Sequence, residues 1–188
     1  MYSEVEHEPF DKELFIDIVV KHMLSDVKWA IEQGRNLVAA QLLLAAVDVI
    51  AGLTRQADLE ETTSAVFQAW ASEHLALVGD NYKLTGADIW GARCGFLHGY
   101  TPASRIVRQG RARRLVYVDA MVPPVKSGEG PDGLVIVSLR HLYAALLTGT
   151  KATMRMIESD PELAQLVNSR LQMMFRVVDL DDEETASQ

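Results

Sequence analysis

The sequence LVAAQLLLAAVDVIAGLTR, residues 37–55, decides the fold of this chain. It contains only two charged residues, Asp48 and Arg55, and its apolar residues occupy nearly every side of a helix. A helix that is hydrophobic all round is buried in a protein interior. We therefore predict a central helix from Leu37 to Arg55, with Asn36 as its N-cap, around which the other helices pack.

Helical periodicity recurs on both sides of this stretch. Apolar residues at helical spacing predict helices at about 11–33, 64–77, 86–97 and 138–157, and a last helix that opens at Asp160-Pro161. Thr85 is placed to cap the fourth helix, and Gly99 with Thr101-Pro102 is placed to end it. The chain is therefore expected to form a helical bundle of five to six helices.

Two short β-branched runs interrupt the helical pattern, Arg114 to Val118 and Leu134 to Val137. A connection rich in Pro, Gly and Ser separates them, so we expect a small β-hairpin inserted near residues 112–138 of a mainly α fold. We predict a single helical domain over residues 10–178. An acidic N-terminal extension, residues 1–9, precedes it, and an acidic tail at 179–188, expected to be disordered, follows it.

Composition limits the cellular setting and the chemistry. Cys94 is the single cysteine among 188 residues, which excludes an intramolecular disulfide and favours a reducing compartment. The longest apolar run, Leu42 to Val47, is far shorter than the roughly 20 residues that span a bilayer. The N-terminus is acidic rather than basic. We expect a cytoplasmic protein with no membrane partner.

Charge is distributed unevenly along the chain. The net charge of −8 disfavours nucleic-acid binding, yet residues 89–118 contain no Asp or Glu. This stretch holds half of the chain's 12 arginines. They are Arg93, Arg105, Arg108, Arg111, Arg113 and Arg114. The later five are candidates for binding an RNA backbone, with Tyr100 and Tyr117 as candidates for stacking on bases. The alternative is a solvated loop and a strand edge protected by positive charge.

Arg93 occupies an unusual position on its predicted helix. On an ideal helix it lies in an apolar stripe that should face inward. The other members of the stripe are Ile89, Trp90, Phe96 and Leu97. A buried guanidinium needs a carboxylate, carbonyl oxygens, water or an anionic ligand. Asp48, the only acid of the central helix, is the obvious internal partner.

The neighbouring face of the same helix is built from small residues. It comprises Ala87, Gly91, Cys94, Gly95 and, at its end, His98. Small residues let another backbone approach, so a second helix, or the same helix of a second subunit, is expected to pack here. His98 lies about 140° around an ideal helix from Arg93, so the two do not share a face by geometry alone.

The segment Arg93-Cys94-Gly95-Phe96-Leu97-His98 resembles the R-x(4–6)-H motif of the HEPN superfamily. Outside the motif, residues 10–100 share only the helical outline. The family is all-α, often dimerises through this helix, and includes metal-independent endoribonucleases of toxin-antitoxin and defence systems. Cys94 departs from the pattern, because the family commonly has Asn, Asp or His at this position.

The resemblance implies a homodimeric RNA-binding protein that needs no cofactor or metal. His98 would then act as general base or acid, and Arg93 would stabilise charge on the phosphate. An antitoxin protein would be a further partner. Two alternatives remain open. One is a non-catalytic dimerisation or regulatory module with a structural Arg93-Asp48 pair, and the other is a sensor of an anionic small molecule.

Overall fold

A computed structural model describes residues 8–128 and 133–175 of the chain. The predicted acidic tail, 179–188, and residues 1–7 of the predicted N-terminal extension lie outside the described residues. The architecture is mainly α with a small β element, as the sequence predicts.

Seven helices are formed by the described residues. Helix α1 runs without a break through Lys12–Phe15, a π-helical segment Ile16–Leu24 and Ser25–Glu32. The others are α2 (Asn36–Leu53), α3 (Ser64–His74), α4 (Gly86–Gly99), the short α5 (Arg105–Arg108), α6 (Leu139–Ser159) and α7 (Pro161–Leu171). The predicted helices are all present, and α5 is one that periodicity did not reveal because it is a single turn.

Helix α2 lies at the centre of the bundle, as predicted. It contacts α1, α3, α4, α6 and α7, and Leu43, Leu44, Val47 and Ile50 are at most 2% exposed. By length and composition α2 could also cross a membrane, with a mean hydropathy of 1.9, but 56% of it is buried inside the protein. Packing in the core accounts for its apolar character.

The start of α2 differs from the prediction that Asn36 caps it. Arg35 occupies the N-cap position without a side-chain hydrogen bond, and Asn36 is the first helical residue. The reason is the tight turn before it. Gly34 adopts a left-handed backbone with φ of 65°, and the Arg35 amide bonds back to the carbonyl of Ala30. The chain is therefore already turned when it reaches Asn36.

The β element has three strands among the described residues, rather than the two predicted. They are β1 (Arg114–Val118), β2 (Val125–Ser127) and β3 (Leu134–Ser138), in the order β1-β3-β2. The two predicted strands, β1 and β3, pair in parallel, so they do not form a hairpin with each other. The antiparallel pair is β2 with β3. The connection that we predicted to be a loop contains β2. Strand β2 pairs with one edge of β3, and β1 pairs with the other edge.

Candidate functional site

Both ends of helix α4 are fixed by contacts that also fix the arginine-rich segment. At its start, Thr85 and Asp88 form a reciprocal capping box. Asp88 is only 2% exposed, and its carboxylate also accepts hydrogen bonds from the Tyr82 hydroxyl at 2.8 Å and the Arg113 amide at 2.7 Å. One buried carboxylate thus joins the start of α4 to the chain just before β1. The Thr85-x-x-Asp88 spacing was the available signal for this role.

The Tyr82 hydroxyl donates a hydrogen bond to the Asp88 carboxylate throughout the physiological pH range. Burial raises the pKa of Tyr82 well above its ordinary value, and the hydrogen bond to Asp88 raises it further. The phenol therefore stays protonated at every physiological pH and continues to donate to Asp88.

At its other end, α4 extends past the predicted end at about Leu97 and includes Gly99. The chain then reverses at Tyr100, which adopts a left-handed backbone with φ of 47° and ψ of 43°. After this turn the Thr101 amide donates to the carbonyl of Gly95 at 3.1 Å. A Cβ at Gly95 would lie 2.1 Å from the Thr101 carbonyl oxygen, so the turn requires glycine there.

The turn sends residues 101–112 back across the small-residue face of α4. Gly91 packs against Ile106, Val107 and Ala112, at distances that leave little room for a side chain. The chain's own short helix α5 therefore occupies part of the face that we expected a second helix or subunit to cover. Ala87, Cys94 and His98 stay uncovered and line a pocket instead.

This pocket, which we call the basic pocket, has a volume of about 560 Å³. Its walls are Ser64 and Gln68 of α3, the uncovered part of α4, and residues 101–111. His98, Arg105, Arg108 and Arg111 are its ionisable lining residues besides Cys94, and no described Asp or Glu lines it. All four side chains are exposed. The geometry thus gathers positive charge at one concave site of an acidic protein.

The arginines of the basic pocket are available for a ligand. None of the three forms an ion pair with an acid among the residues that the structure describes. Arg108 donates to the carbonyl oxygen of Ala103 at 2.5 Å, which positions its guanidinium at the pocket wall. An anion can therefore bind here without first displacing a carboxylate.

Ser104 is a polar residue of this pocket that the sequence did not single out. It is 6% exposed, and its hydroxyl has no hydrogen-bond partner within the described parts of the chain. An unsatisfied buried hydroxyl costs about 1 to 3 kcal/mol. Ser104 therefore contributes a buried, unsatisfied polar group to the wall of the basic pocket.

Arg93 does not line the basic pocket. Its Nη2 and Nε lie 2.6 and 3.1 Å from Oδ2 of Asp48, and its guanidinium stacks 4.9 Å from the ring centroid of Trp90. The two paired side chains are 18% and 20% exposed. The ion pair expected from the sequence is present, and Arg93 lies outside the pocket that His98 lines.

Cys94 lies between these two environments. It lines the basic pocket, and the Arg93 side chain, which does not line that pocket, lies near enough to the thiol to affect its pKa. Burial raises the pKa of the Cys94 thiol, and Arg93 and Arg105 oppose that rise only in part. The side chain is therefore a neutral thiol rather than a nucleophilic thiolate.

The remaining predicted site residues lie outside the basic pocket. Arg113 donates its backbone amide to Asp88, and Arg114 opens strand β1. Both arginines also interact with other residues of the chain. Tyr100 lines a neighbouring apolar pocket. Of the predicted arginine cluster, the basic pocket thus brings together Arg105, Arg108 and Arg111.

No known protein family matches this chain, and no curated protein or solved structure matches it. Among the described residues, no three His, Cys, Asp or Glu side chains lie close enough together to hold a metal ion.

Proposed function

We propose that this protein binds RNA, and that the phosphate backbone occupies the basic pocket. The observation that carries the proposal is the lining of that pocket, where His98, Arg105, Arg108 and Arg111 converge and no described acid intervenes. Guanidinium groups bind phosphate oxygens with paired hydrogen bonds, and a diester chain can contact several of them at once. The acidic remainder of the protein would confine binding to this one surface.

His98 is the residue that would catalyse cleavage of the bound RNA. An imidazole beside a phosphodiester can take the proton of the 2′-hydroxyl, whose oxygen then attacks the phosphorus to form a 2′,3′-cyclic phosphate. The bond from phosphorus to the 5′-oxygen breaks, water protonates that leaving oxygen, and the imidazolium returns its proton to solvent. Arg105, Arg108 and Arg111 would stabilise the charge that develops on the phosphate, the role that the HEPN resemblance assigns to Arg93. Arg93 is committed to Asp48 instead. We therefore propose His98-dependent cleavage as the activity to test.

The binding test measures fluorescence anisotropy of labelled single-stranded RNA over a series of salt concentrations. A variant with Arg105, Arg108 and Arg111 all changed to Gln should lose tenfold or more in affinity. Each lost phosphate contact reduces the salt slope by about 0.7 for single strands, so the slope should fall by about 2. Arg155→Gln on the exposed side of α6 is the matched control and should leave the affinity and the salt slope unchanged. Equal affinity of the triple variant and the wild type would reject the proposal.

The cleavage test compares wild type, His98→Ala and Arg93→Met on mixed RNA in the presence of a chelator. Loss of cleavage in His98→Ala alone would support the mechanism written here. Loss in both, with RNA binding retained, would favour the Arg93 role that the HEPN motif implies. Binding without cleavage in the wild type would restrict the function to RNA binding.

One observation favours a second candidate, the sensing of an anionic small molecule. The basic pocket is formed by a single chain, and about 560 Å³ lies within the usual range of ligand sites. Calorimetry with a nucleoside monophosphate and with a short RNA distinguishes the two. Tighter binding of the mononucleotide than of the RNA would favour the sensor.

The homodimer, an antitoxin partner and a cytoplasmic location remain predictions. Part of the small-residue face of α4 is filled by residues 101–112, so a second copy would have to pack beside them. Light scattering of the purified protein tests for the dimer. A dimer whose interface closes the basic pocket would weaken RNA binding as protein concentration rises.

A further inference from the structure

A smaller apolar pocket, which we call the aromatic slot, opens beside the basic pocket. Its volume is about 290 Å³, and its rings are Phe96, Tyr100 and Tyr117. Leu37 and Val116 belong to its apolar lining and are 51% and 40% exposed. Thr101 lines both this slot and the basic pocket, which otherwise lie on different faces of α4.

The three rings of the slot contact one another. The ring centroids of Phe96 and Tyr100 are 5.8 Å apart at 81°, and those of Phe96 and Tyr117 are 5.9 Å apart at 43°. Tyr100 is 62% exposed although it is a large aromatic residue. Aromatic rings at a concave surface beside positive charge are the groups that single-stranded nucleic-acid binders use to stack bases.

The backbone of Tyr100 adds an independent observation. Among the described residues it is the only one other than glycine with a positive φ. Glycine would adopt this left-handed conformation without strain, whereas tyrosine does so at a cost. The turn therefore holds an exposed ring at the slot, in a backbone conformation that suits glycine better than tyrosine.

Tyr117 contributes to the lining of the slot. Its hydroxyl is buried and has no hydrogen-bond partner in the described parts of the chain, so the slot presents the ring rather than the polar group. The flat face of a nucleobase suits such a lining.

We infer that the aromatic slot binds a base of the RNA whose phosphate backbone lies in the basic pocket, so that the RNA recognised is single-stranded. This inference rests on the proposed function and deepens it. Bases inside a duplex are paired and stacked, and cannot enter a slot in the protein surface. The slot is at the lower end of the size range of ligand pockets, which suits one base better than a longer apolar segment.

The test measures anisotropy with three short labelled probes at one salt concentration: single-stranded RNA, the same ribose-phosphate chain without bases, and duplex RNA. The wild type should bind the single strand about tenfold more tightly than the baseless chain, the effect typical of one stacked base. Tyr100→Gly, which suits the left-handed backbone and removes the ring, should abolish this preference. Tyr100→Phe keeps the ring and should retain it.

The outcomes separate the slot from the phosphate site. Equal affinity of the wild type for the single strand and the baseless chain overturns the base slot, while salt-sensitive binding of both leaves the proposed function standing. Preference for the duplex also overturns the slot. Loss of the preference in Tyr100→Gly, with unchanged affinity for the baseless chain and an unchanged thermal midpoint, supports it. No binding of any probe overturns both proposals.

Discussion

Asp48 receives both hydrogen bonds from Arg93 on a single carboxylate oxygen, Oδ2, at 2.6 and 3.1 Å, while its other oxygen, Oδ1, is buried without a partner among the described residues. The pair connects α2 to α4 across the core. Only one oxygen of the Asp48 carboxylate is hydrogen-bonded. The net contribution of the ion pair to stability is therefore smaller than the short distance between Arg93 and Asp48 suggests.

Removing one partner of this pair should destabilise the fold more than removing both. Arg93→Met leaves the Asp48 carboxylate uncompensated, and we expect a loss of about 1 to 3 kcal/mol, reduced from the fully buried value because both side chains are about a fifth exposed. The double variant Asp48→Leu with Arg93→Met should recover at least half of that loss. Urea unfolding at neutral pH compares the wild type, the single variants Arg93→Met and Asp48→Leu, and the double variant. Additive single losses would show that the two residues are not coupled.

Arg170 should be more important for stability than Arg93. It is 7% exposed, and its guanidinium donates to the carbonyl oxygens of Leu53, Arg55 and Gln56 at 2.8, 2.7 and 3.0 Å. It thereby satisfies carbonyls at and just beyond the C-terminal end of α2. Arg170→Met should lower the free energy of unfolding by about 3 kcal/mol, because three carbonyls lose their donor. Arg155→Met, on the exposed side of α6, is the control and should change it little.

The helical part of the fold was predictable because local signals determine it. The apolar stretch in α2, the Thr85 cap of α4 and the Asp160-Pro161 start of α7 each act within one or two helical turns. The β element was predictable only in part. Whether β1 pairs in parallel with β3 depends on where β2 returns, and no local pattern encodes that choice.

The candidate site was likewise predictable only in part. The Arg93-Asp48 pair followed from one inward-facing arginine and one acid in an apolar helix. The basic pocket did not follow, because it depends on the left-handed turn at Tyr100 that brings residues 101–112 onto α4. Proline and glycine nearby indicated a turn, but not its direction. The HEPN resemblance grouped Arg93 with His98, whereas the fold groups His98 with Arg105, Arg108 and Arg111.

Gly95→Ala tests whether that turn builds the basic pocket. The added Cβ would lie 2.1 Å from the Thr101 carbonyl oxygen, a backbone atom that cannot yield without moving the turn. We expect a loss of about 1 to 3 kcal/mol in unfolding free energy and weaker RNA binding in the folded fraction. Gly99→Ala is the matched control, since its nearest neighbour is a Thr101 methyl group at 3.1 Å and alanine favours the helix. Equal effects of the two substitutions would contradict this account of Gly95.

Tyr117 makes the stability of the protein sensitive to alkaline pH. Burial raises its pKa above the ordinary value of 10.0, so the folded protein keeps the neutral phenol while the unfolded chain ionises. Below pH 10 the Tyr117 phenol is neutral in both states, so it costs no stability there. As the pH rises further, the unfolded state binds fewer protons than the folded state, and the free energy of unfolding falls. Tyr117→Phe should reduce this alkaline loss in urea unfolding series.

At neutral pH the same series separates Tyr117 from Tyr82, whose pKa is also raised by burial. Tyr117→Phe removes an unsatisfied hydroxyl and should stabilise the protein by about 1 kcal/mol. Tyr82→Phe removes a donor to Asp88 and should destabilise it by about 1 to 3 kcal/mol. Shifts of the same sign would show that the Tyr117 hydroxyl has a partner.

Cys94 reports on the basic pocket directly, because it is the single cysteine of the chain and lines that pocket. Burial raises its pKa above the ordinary 9.0, so at neutral pH less of it is thiolate than in a free thiol. Iodoacetamide should therefore react slowly at neutral pH, and the rate should keep rising beyond the pH at which a free thiol levels off. Arg105 favours the thiolate, so Arg105→Gln should slow the reaction further. Saturating RNA should slow it in the wild type, and a rate indifferent to RNA would place the RNA elsewhere on the surface.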